Sequence, residues 1–260
     1  MENIRKLKLA AALAARSETV AGICVGLLVG AALLAGVHFS GVRVDRLLPA
    51  QQNIRLADLR GETASDDVRY LADWIADSRD AAEPGFVVVD KKYAKAYAFD
   101  GQARLLAFAP VLLGSAHGDD SVSGVGAKPL AEVLPEERTT PAGRFVGERG
   151  HDTRGDDVVW VDYDAAVSIH RVLTNNPGER RLERLATPEI EDNRISNGCI
   201  NVPAAFYETF IGPLFANRRA IVYVLPESKS VDEVFGSYDV AARRPGTVPR
   251  NQLLSRMQAF

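Results

Sequence analysis

The stretch SNGCINV, residues 196–202, holds the one cysteine of this chain that lies outside its apolar N-terminal segment. Small and polar residues precede Cys199, Ile200 and Val202 flank Asn201, and Pro203 follows, a residue suited to the first position of a helix. Four readings of such a cysteine compete. A disulfide needs a partner, and the other cysteine, Cys24, sits inside the apolar segment, so pairing is not expected. A zinc site needs about four ligands at suitable spacing, and no Cys/His group here has it, so no metal is expected. A buried thiol and a nucleophile remain. A nucleophile needs a base to form the thiolate and backbone N–H groups to meet a developing oxyanion. Gly198 lets the backbone approach a substrate closely. A helix starting at Pro203 would favour thiolate, although that influence reaches only about one turn.

Histidine is the usual base, and the chain has four. His38 falls at the edge of the apolar segment. His117 and His151 lie in loops rich in glycine and aspartate, where Asp119, Asp120 and Asp152 make polar surface, not a metal site. His170 ends the apolar run AVSIHRV (166–172), whose pattern predicts a strand able to hold an imidazole rigidly. From the residues alone, a small core thiol and a half-buried strand histidine are the favoured description of Cys199 and His170.

Working outward, the chain reads as many strands and few helices. Residues 65–80, SDDVRYLADWIADSRD, put Val68, Leu71, Ala72 and Ile75 on one helical face, with Ser65 or Asp66 as cap. FVVVD (86–90) predicts a buried strand. KYAKAYAFD (92–100) alternates Tyr93, Tyr97 and Phe99 against Ala94, Ala96 and Ala98, and Asp100-Gly101 signals a hairpin into RLLAFAPVLLG (104–114). VVWVDY (158–163), AVSIHRV and AIVYVL (220–225) are further strands, and PAAFYETFIGPLF (203–215) a helix. This predicts a mainly β, mostly antiparallel domain over residues 85–226. Long loops occupy 115–138 and 173–193, and loops of that length are often functional. Residues 41–84 read as a stalk and amphipathic helix, and 227–260 as a polar extension.

The net charge of the 260 residues is −3, which gives no electrostatic case for nucleic acid. Val20–Phe39 is an apolar run of about the 20 residues that cross a bilayer, preceded by Arg5, Lys6, Lys8 and Arg16. By the positive-inside rule the basic end stays in the cytosol, which makes residues 1–40 a single-pass anchor in the cytoplasmic membrane and puts the rest on the periplasmic or extracytoplasmic side. The alternative is a cleaved signal peptide and secretion to the periplasm.

The order VDK (89–91), TTPAGRF (139–145), SIHRV (168–172) and SNGCINV (196–202) resembles the L,D-transpeptidase catalytic domain, the YkuD family. The resemblance implies a β-sandwich with one or two helices, no cofactor, and cysteine chemistry on peptidoglycan stem peptides. It makes Cys199 the nucleophile and His170 the base. It gives Gly198 and Cys199 N–H groups to an oxyanion hole, makes Ser196 the hydroxyl that supports the loop, and makes Asn201 a permitted residue of the motif. Two departures stand out. Asn197 occupies the place of a family histidine, so SNGC replaces SHGC; asparagine can donate a hydrogen bond but cannot titrate near neutral pH. The 25 residues between His170 and Ser196 exceed the family spacing. This insert carries Arg180, Arg181 and Arg184, then Glu189, Glu191 and Asp192, and reads either as a solvated loop or as a lid that recognises a stem-peptide carboxylate through arginine. Arg171, beside the base, either binds a substrate carboxylate or faces solvent. The expected activity is transpeptidation through a thioester. An L,D-carboxypeptidase or a hydrolase of groups attached to peptidoglycan is the enzymatic alternative, and an inactive cell-wall-binding module the other.

Overall fold

The strand FVVVD lies in the interior of the sheet and is buried on both faces, which is why it reads as a continuous apolar run. The structure is a computed structural model describing residues 54–81, 84–216 and 219–243, all within the unit Ile54–Phe260. The apolar segment Val20–Phe39, with Cys24 and the basic residues before it, lies outside the described residues. Among the described residues no helix is long and apolar enough to cross a membrane.

Among the described residues ten strands form: β1 (Gly85–Asp90), β2 (Lys95–Asp100), β3 (Leu105–Pro110), β4 (Leu113–Gly114), β5 (Gly143–His151), β6 (Asp157–Asp162), β7 (Val167–Arg171), β8 (Arg194–Ser196), β9 (Ile200–Val202) and β10 (Ala220–Val224). Eight make one sheet in the order β3-β2-β1-β10-β5-β6-β7-β9, and β4 pairs with β8. Most pairs are antiparallel; β1·β10, β7·β9 and β4·β8 are parallel. The fold is thus mostly β, with few helices.

The long strand β5 turns this sheet back on itself. Its residues 143–147 pair with β10 and its residues 148–151 with β6. At the changeover stands Gly147, where an added Cβ would lie 2.4 Å from the Phe215 ring. The two halves enclose one core. Val87, Val89, Val222 and Val224 come from one half, and Val159, Ile169, Ile200 and Val202 from the other. Helix α3 (residues 204–214) closes it with Phe206, Tyr207, Ile211 and Leu214. This helix runs through Ala204–Phe206, a wider π turn Tyr207–Ile211 and Gly212–Leu214. Pro213 has no N–H to continue the regular i→i−4 series there.

Strand alternation sends the other side chains of β1 and β2 to a second core. Phe86, Val88, Tyr97 and Phe99 meet Val68, Leu71, Ala72, Trp74 and Ile75 of helix α1 (Asp66–Ser78). Ser65 caps α1 by accepting from Val68 N at 3.2 Å. The described part of the expected stalk, from residue 54, is not a free spacer. Ala57 N donates to Asp73 Oδ1 at 2.9 Å, and Leu59 is buried. Residues 227–243 likewise depart from the extension expected after 226. The short helix α4 (Val231–Phe235; α2 is described with the site) buries Val231 in the second core, and Val240 joins it.

Candidate functional site

Strand pairing brings the candidate nucleophile and base together. β7 and β9 run parallel, with Ile169 opposite Ile200 and His170 opposite Asn201. Cys199 immediately precedes β9, so its side chain emerges at the strand end beside His170. Cys199 Sγ lies 3.7 Å from Ser168 Oγ and 3.6 Å from Ala166 O. Burial pushes the thiol pKa up, but the hydrogen bond and charge of His170 and the backbone and hydroxyl of Ser168 outweigh it, and the thiol titrates below its ordinary value. His170 Nδ1 donates to Arg171 O at 2.7 Å. A carbonyl can only accept, so the proton of the neutral ring resides on Nδ1 and Nε2 is left as the base.

The helix-dipole argument for Cys199 does not hold. Strand β9 and the capping residue Pro203 separate the thiol from the start of α3, beyond the first turn over which a helix terminus acts. Thiolate is favoured here by His170 and Ser168 instead.

The loop carrying Cys199 is fixed by hydrogen bonds to its own backbone. Ser196 Oγ donates to Cys199 O at 2.6 Å and accepts from Gly198 N at 3.1 Å. Asn201, fully buried, donates from Nδ2 to Cys199 O at 3.2 Å. Gly198 has φ +124°, and a Cβ there would lie 2.9 Å from Thr139 O. Its carbonyl accepts from Thr140 Oγ1 at 2.8 Å, and that hydroxyl accepts from Gly114 N at 2.9 Å. The Gly198 N–H, expected in an oxyanion hole, is therefore engaged by Ser196 in this state. Asn197 is exposed and lines the cleft.

Beneath this loop lies a cluster of charges that the sequence reading missed. Lys91, 0% exposed, donates from Nζ to Asp119 Oδ1 and Thr140 O, each at 3.0 Å, and to Gly118 O. Burial pulls its pKa down against the pull of Asp119 and Glu227. Asp119 also accepts from Glu227 N at 2.6 Å, Ser228 N at 2.9 Å and Lys229 N at 2.8 Å. Burial works against the Asp119 carboxylate, yet these donors hold its pKa far below the usual range. Asp119 is thus a buried anchor, not the polar surface expected. Arg194, leading into the cysteine loop, donates to Lys91 O at 2.9 Å and pairs with Glu227. The lysine of VDK and the aspartate were both visible, but nothing local joins residues 28 apart.

Arg171 is engaged. It pairs with Glu208 at 2.5 Å, donates to Asp157 O at 3.0 Å and stacks over the Tyr207 ring at 4.1 Å. It ties β7 to α3 and β6 from a partly exposed position and does not stand free for a carboxylate. The insert folds as short turns around helix α2 (Arg181–Ala186). His117 Nε2 lies 3.3 Å from Glu191 and its Nδ1 3.4 Å from Glu227. His151 ends β5 as an exposed residue.

A cleft of about 360 Å³ joins these parts, lined by Ser168, His170, Ser196, Asn197, Cys199 and Asn201, with Trp160, Leu173 and Val125 as apolar wall. An apolar-walled cleft holding an activated thiol, a base on a rigid strand and backbone amides can carry out acyl transfer.

No protein-family model matches this chain, and no curated protein does. Several solved structures are similar to it. An L,D-transpeptidase from Mycobacterium smegmatis shares 15% identity at a TM-score of 0.32, over 56% of this chain and 59% of that one. A helical cell shape determining protein from Campylobacter jejuni shares 13% at 0.38, over 60% of this chain and 50% of that one. The catalytic domain of an L,D-transpeptidase from Enterococcus faecium shares 18% at 0.29, over 55% of this chain and 98% of that domain. The chain thus spans between half and three fifths of the length of the first two. At such identities and TM-scores, function has to be read from this chain's own site.

Proposed function

We propose that this protein is a cysteine acyltransferase acting on peptidoglycan stem peptides, an L,D-transpeptidase, anchored by its N-terminal segment with the catalytic domain outside the cytoplasmic membrane. The observation that carries the reading is the pairing of a lowered-pKa Cys199 thiol with a His170 whose Nδ1 proton is fixed on Arg171 O. The ordered motifs, which resemble the YkuD family, supply the substrate class.

The reaction follows from these atoms. Cys199 gives its proton to His170 Nε2, and the thiolate attacks the carbonyl carbon of the amide after the third stem residue. The tetrahedral oxyanion is met by backbone N–H groups of the 197–199 turn, Cys199 N–H foremost, since the Gly198 N–H is shared with Ser196. Collapse breaks the C–N bond, and the terminal D-amino acid leaves with the proton that His170 returns. The thioester is then attacked by the side-chain amine of a second stem peptide, with His170 Nε2 taking that amine's proton. A 3→3 cross-link forms and the Cys199 thiol is regenerated. Water in place of the amine gives the trimmed peptide.

Incubation with purified muropeptides, read by mass spectrometry, tests this. Wild-type protein should yield cross-linked dimers with release of the terminal D-amino acid. Cys199→Ala and His170→Ala should each reduce product by at least about 10³-fold, the scale on which members of a catalytic unit act. An unchanged product profile from Cys199→Ala would refute the assignment; trimmed monomer alone would make the enzyme a carboxypeptidase.

A further inference from the structure

A second cavity lies apart from the cysteine cleft and is larger, about 750 Å³ against about 360 Å³. Among the described residues none lines both. It sits at the end of the second core, between the segment before α1, the C-terminal end of α1 and the β2–β3 turn. Its wall is apolar: Ile75, Phe86 and Ala103 belong to that core, and Leu56 packs against it. A volume of this size suits a small organic molecule, whose pockets measure about 300–1,000 Å³.

The charges on this cavity are of one sign. Arg55 and Arg79 line it together with Gln102, and among the described residues no acid does. The acids near them in the chain are already engaged. Asp77 accepts from Arg55 N at 3.2 Å and from the Tyr238 hydroxyl at 2.7 Å, and pairs with Arg243. Asp80 pairs with Arg144 at 2.6 Å and accepts from the Tyr223 hydroxyl. Asp100 holds Arg104 at 2.9 Å and the backbone N–H groups of Gln102 and Arg104. The side chains of Arg55 and Arg79 have no partner among the described residues, and both residues are exposed. A cation at the C-terminal end of α1 suits the helix dipole, which accounts for Arg79. It does not account for Arg55, which comes from the segment before α1. Two exposed guanidinium groups on a cavity with a buried apolar wall fit an anion that carries an apolar body.

We propose that this cavity is a binding site for an anionic amphiphile, a carboxylate or phosphate head group on an apolar chain. The head group pairs with Arg55 and Arg79, and the chain lies along the wall formed by Ile75, Phe86 and Ala103. A fatty acid and an anionic membrane phospholipid both present this chemistry. The site is separate from Cys199 and does not rest on the function proposed above.

The test is photo-crosslinking of the full chain in a non-ionic detergent, with peptide mass spectrometry to place the label. The probes are a fatty acid carrying a diazirine on its acyl chain, the methyl ester of that acid, and a phosphatidylglycerol with the same acyl group. The free acid should label peptides containing residues 75–86 or 101–103 at least about tenfold more than the ester does, the scale of one charge-assisted hydrogen bond. The double variant Arg55→Gln, Arg79→Gln should bring acid and ester to within about threefold of each other. Its Tm should stay at the wild-type value, because both residues are exposed. Phosphatidylglycerol that labels the same peptides makes the membrane the source; label from the fatty acid alone makes the source a free acid. Equal labelling of wild-type protein by acid and ester, label placed only elsewhere in the chain, or a double variant that keeps the wild-type preference overturns the proposal.

Discussion

Cys199 is set apart from an ordinary half-buried thiol by what surrounds it. Burial alone would raise its pKa, and the opposing pull of His170 and Ser168 wins. Alkylation by iodoacetamide should therefore reach half-maximal rate below the ordinary thiol value of about 8.5, and His170→Ala should move the midpoint up. A midpoint at the ordinary value in wild-type protein would remove the basis for thiolate chemistry. Gly198 matters for a different reason. Its left-handed φ and its approach to Thr139 O leave no room for a Cβ. Gly198→Ala should cost about 1–3 kcal/mol of stability and, by shifting the carbonyl that Thr140 holds, lower activity at least tenfold in the muropeptide assay. Unchanged activity would mean that the loop tolerates displacement.

At the scale of elements, the cysteine loop is held from below by segments distant in sequence. Lys91 follows β1, Asp119 lies between β4 and β5, Arg194 opens β8, and Glu227 follows β10. Asp119→Ala would take the nearest carboxylate from the buried Lys91, leaving it Glu227 at 3.8 Å, and free the 227–229 backbone, a change that costs about 3–5 kcal/mol and should lower Tm by about 10 °C. The pH dependence has a definite sign. The Asp119 carboxyl titrates lower in the folded protein than in the unfolded chain, where its pKa is about 3.9. Its stabilisation is complete above that value and is lost as pH falls toward the folded pKa. Wild-type Tm should therefore drop between pH 5 and pH 2 more steeply than that of Asp119→Asn. Parallel pH profiles would show that the carboxylate stabilises nothing. None of this was legible in the sequence, because a charged loop residue and a charge-cluster anchor look alike until the chain is folded. The regular elements were legible: β1 from its continuous apolar run, β2 from its alternation, and α1 from its apolar face and Ser65 cap. Strands β8 and β9, three residues each, show no period of their own and appear only through their partners β4 and β7.

At the scale of the whole molecule, the folded unit is larger than the motif-bearing segment. α1 covers one face of the sheet, and residues after 226 complete that second core, where Phe235 meets the Tyr223 ring edge-on at 5.9 Å. Tyr238 OH donates to Asp77 at 2.7 Å. The domain boundary expected at 226 follows from the mostly polar residues beyond it; the few that pack, Val231, Phe235 and Val240, are too widely spaced to announce a core. Burial of Val231 and Val240 contributes about 1.5–3 kcal/mol each, a large share of a typical total of 5–15 kcal/mol. A chain ending at Pro226 should therefore be insoluble or melt at least about 10 °C lower, by circular dichroism, than the full chain. An unchanged Tm would restore the shorter domain.

The central claim is that Cys199 carries the acyl group during the reaction. Rapid acid quenching of wild-type protein with a tetrapeptide muropeptide, followed by intact-protein and peptide mass spectrometry, tests it most directly. The account predicts an adduct equal to the donor minus its terminal residue, located on Cys199 by a thioester that hydroxylamine cleaves, and absent from Cys199→Ala. Turnover of the muropeptide without any adduct on Cys199, or with the adduct on another residue, would contradict it.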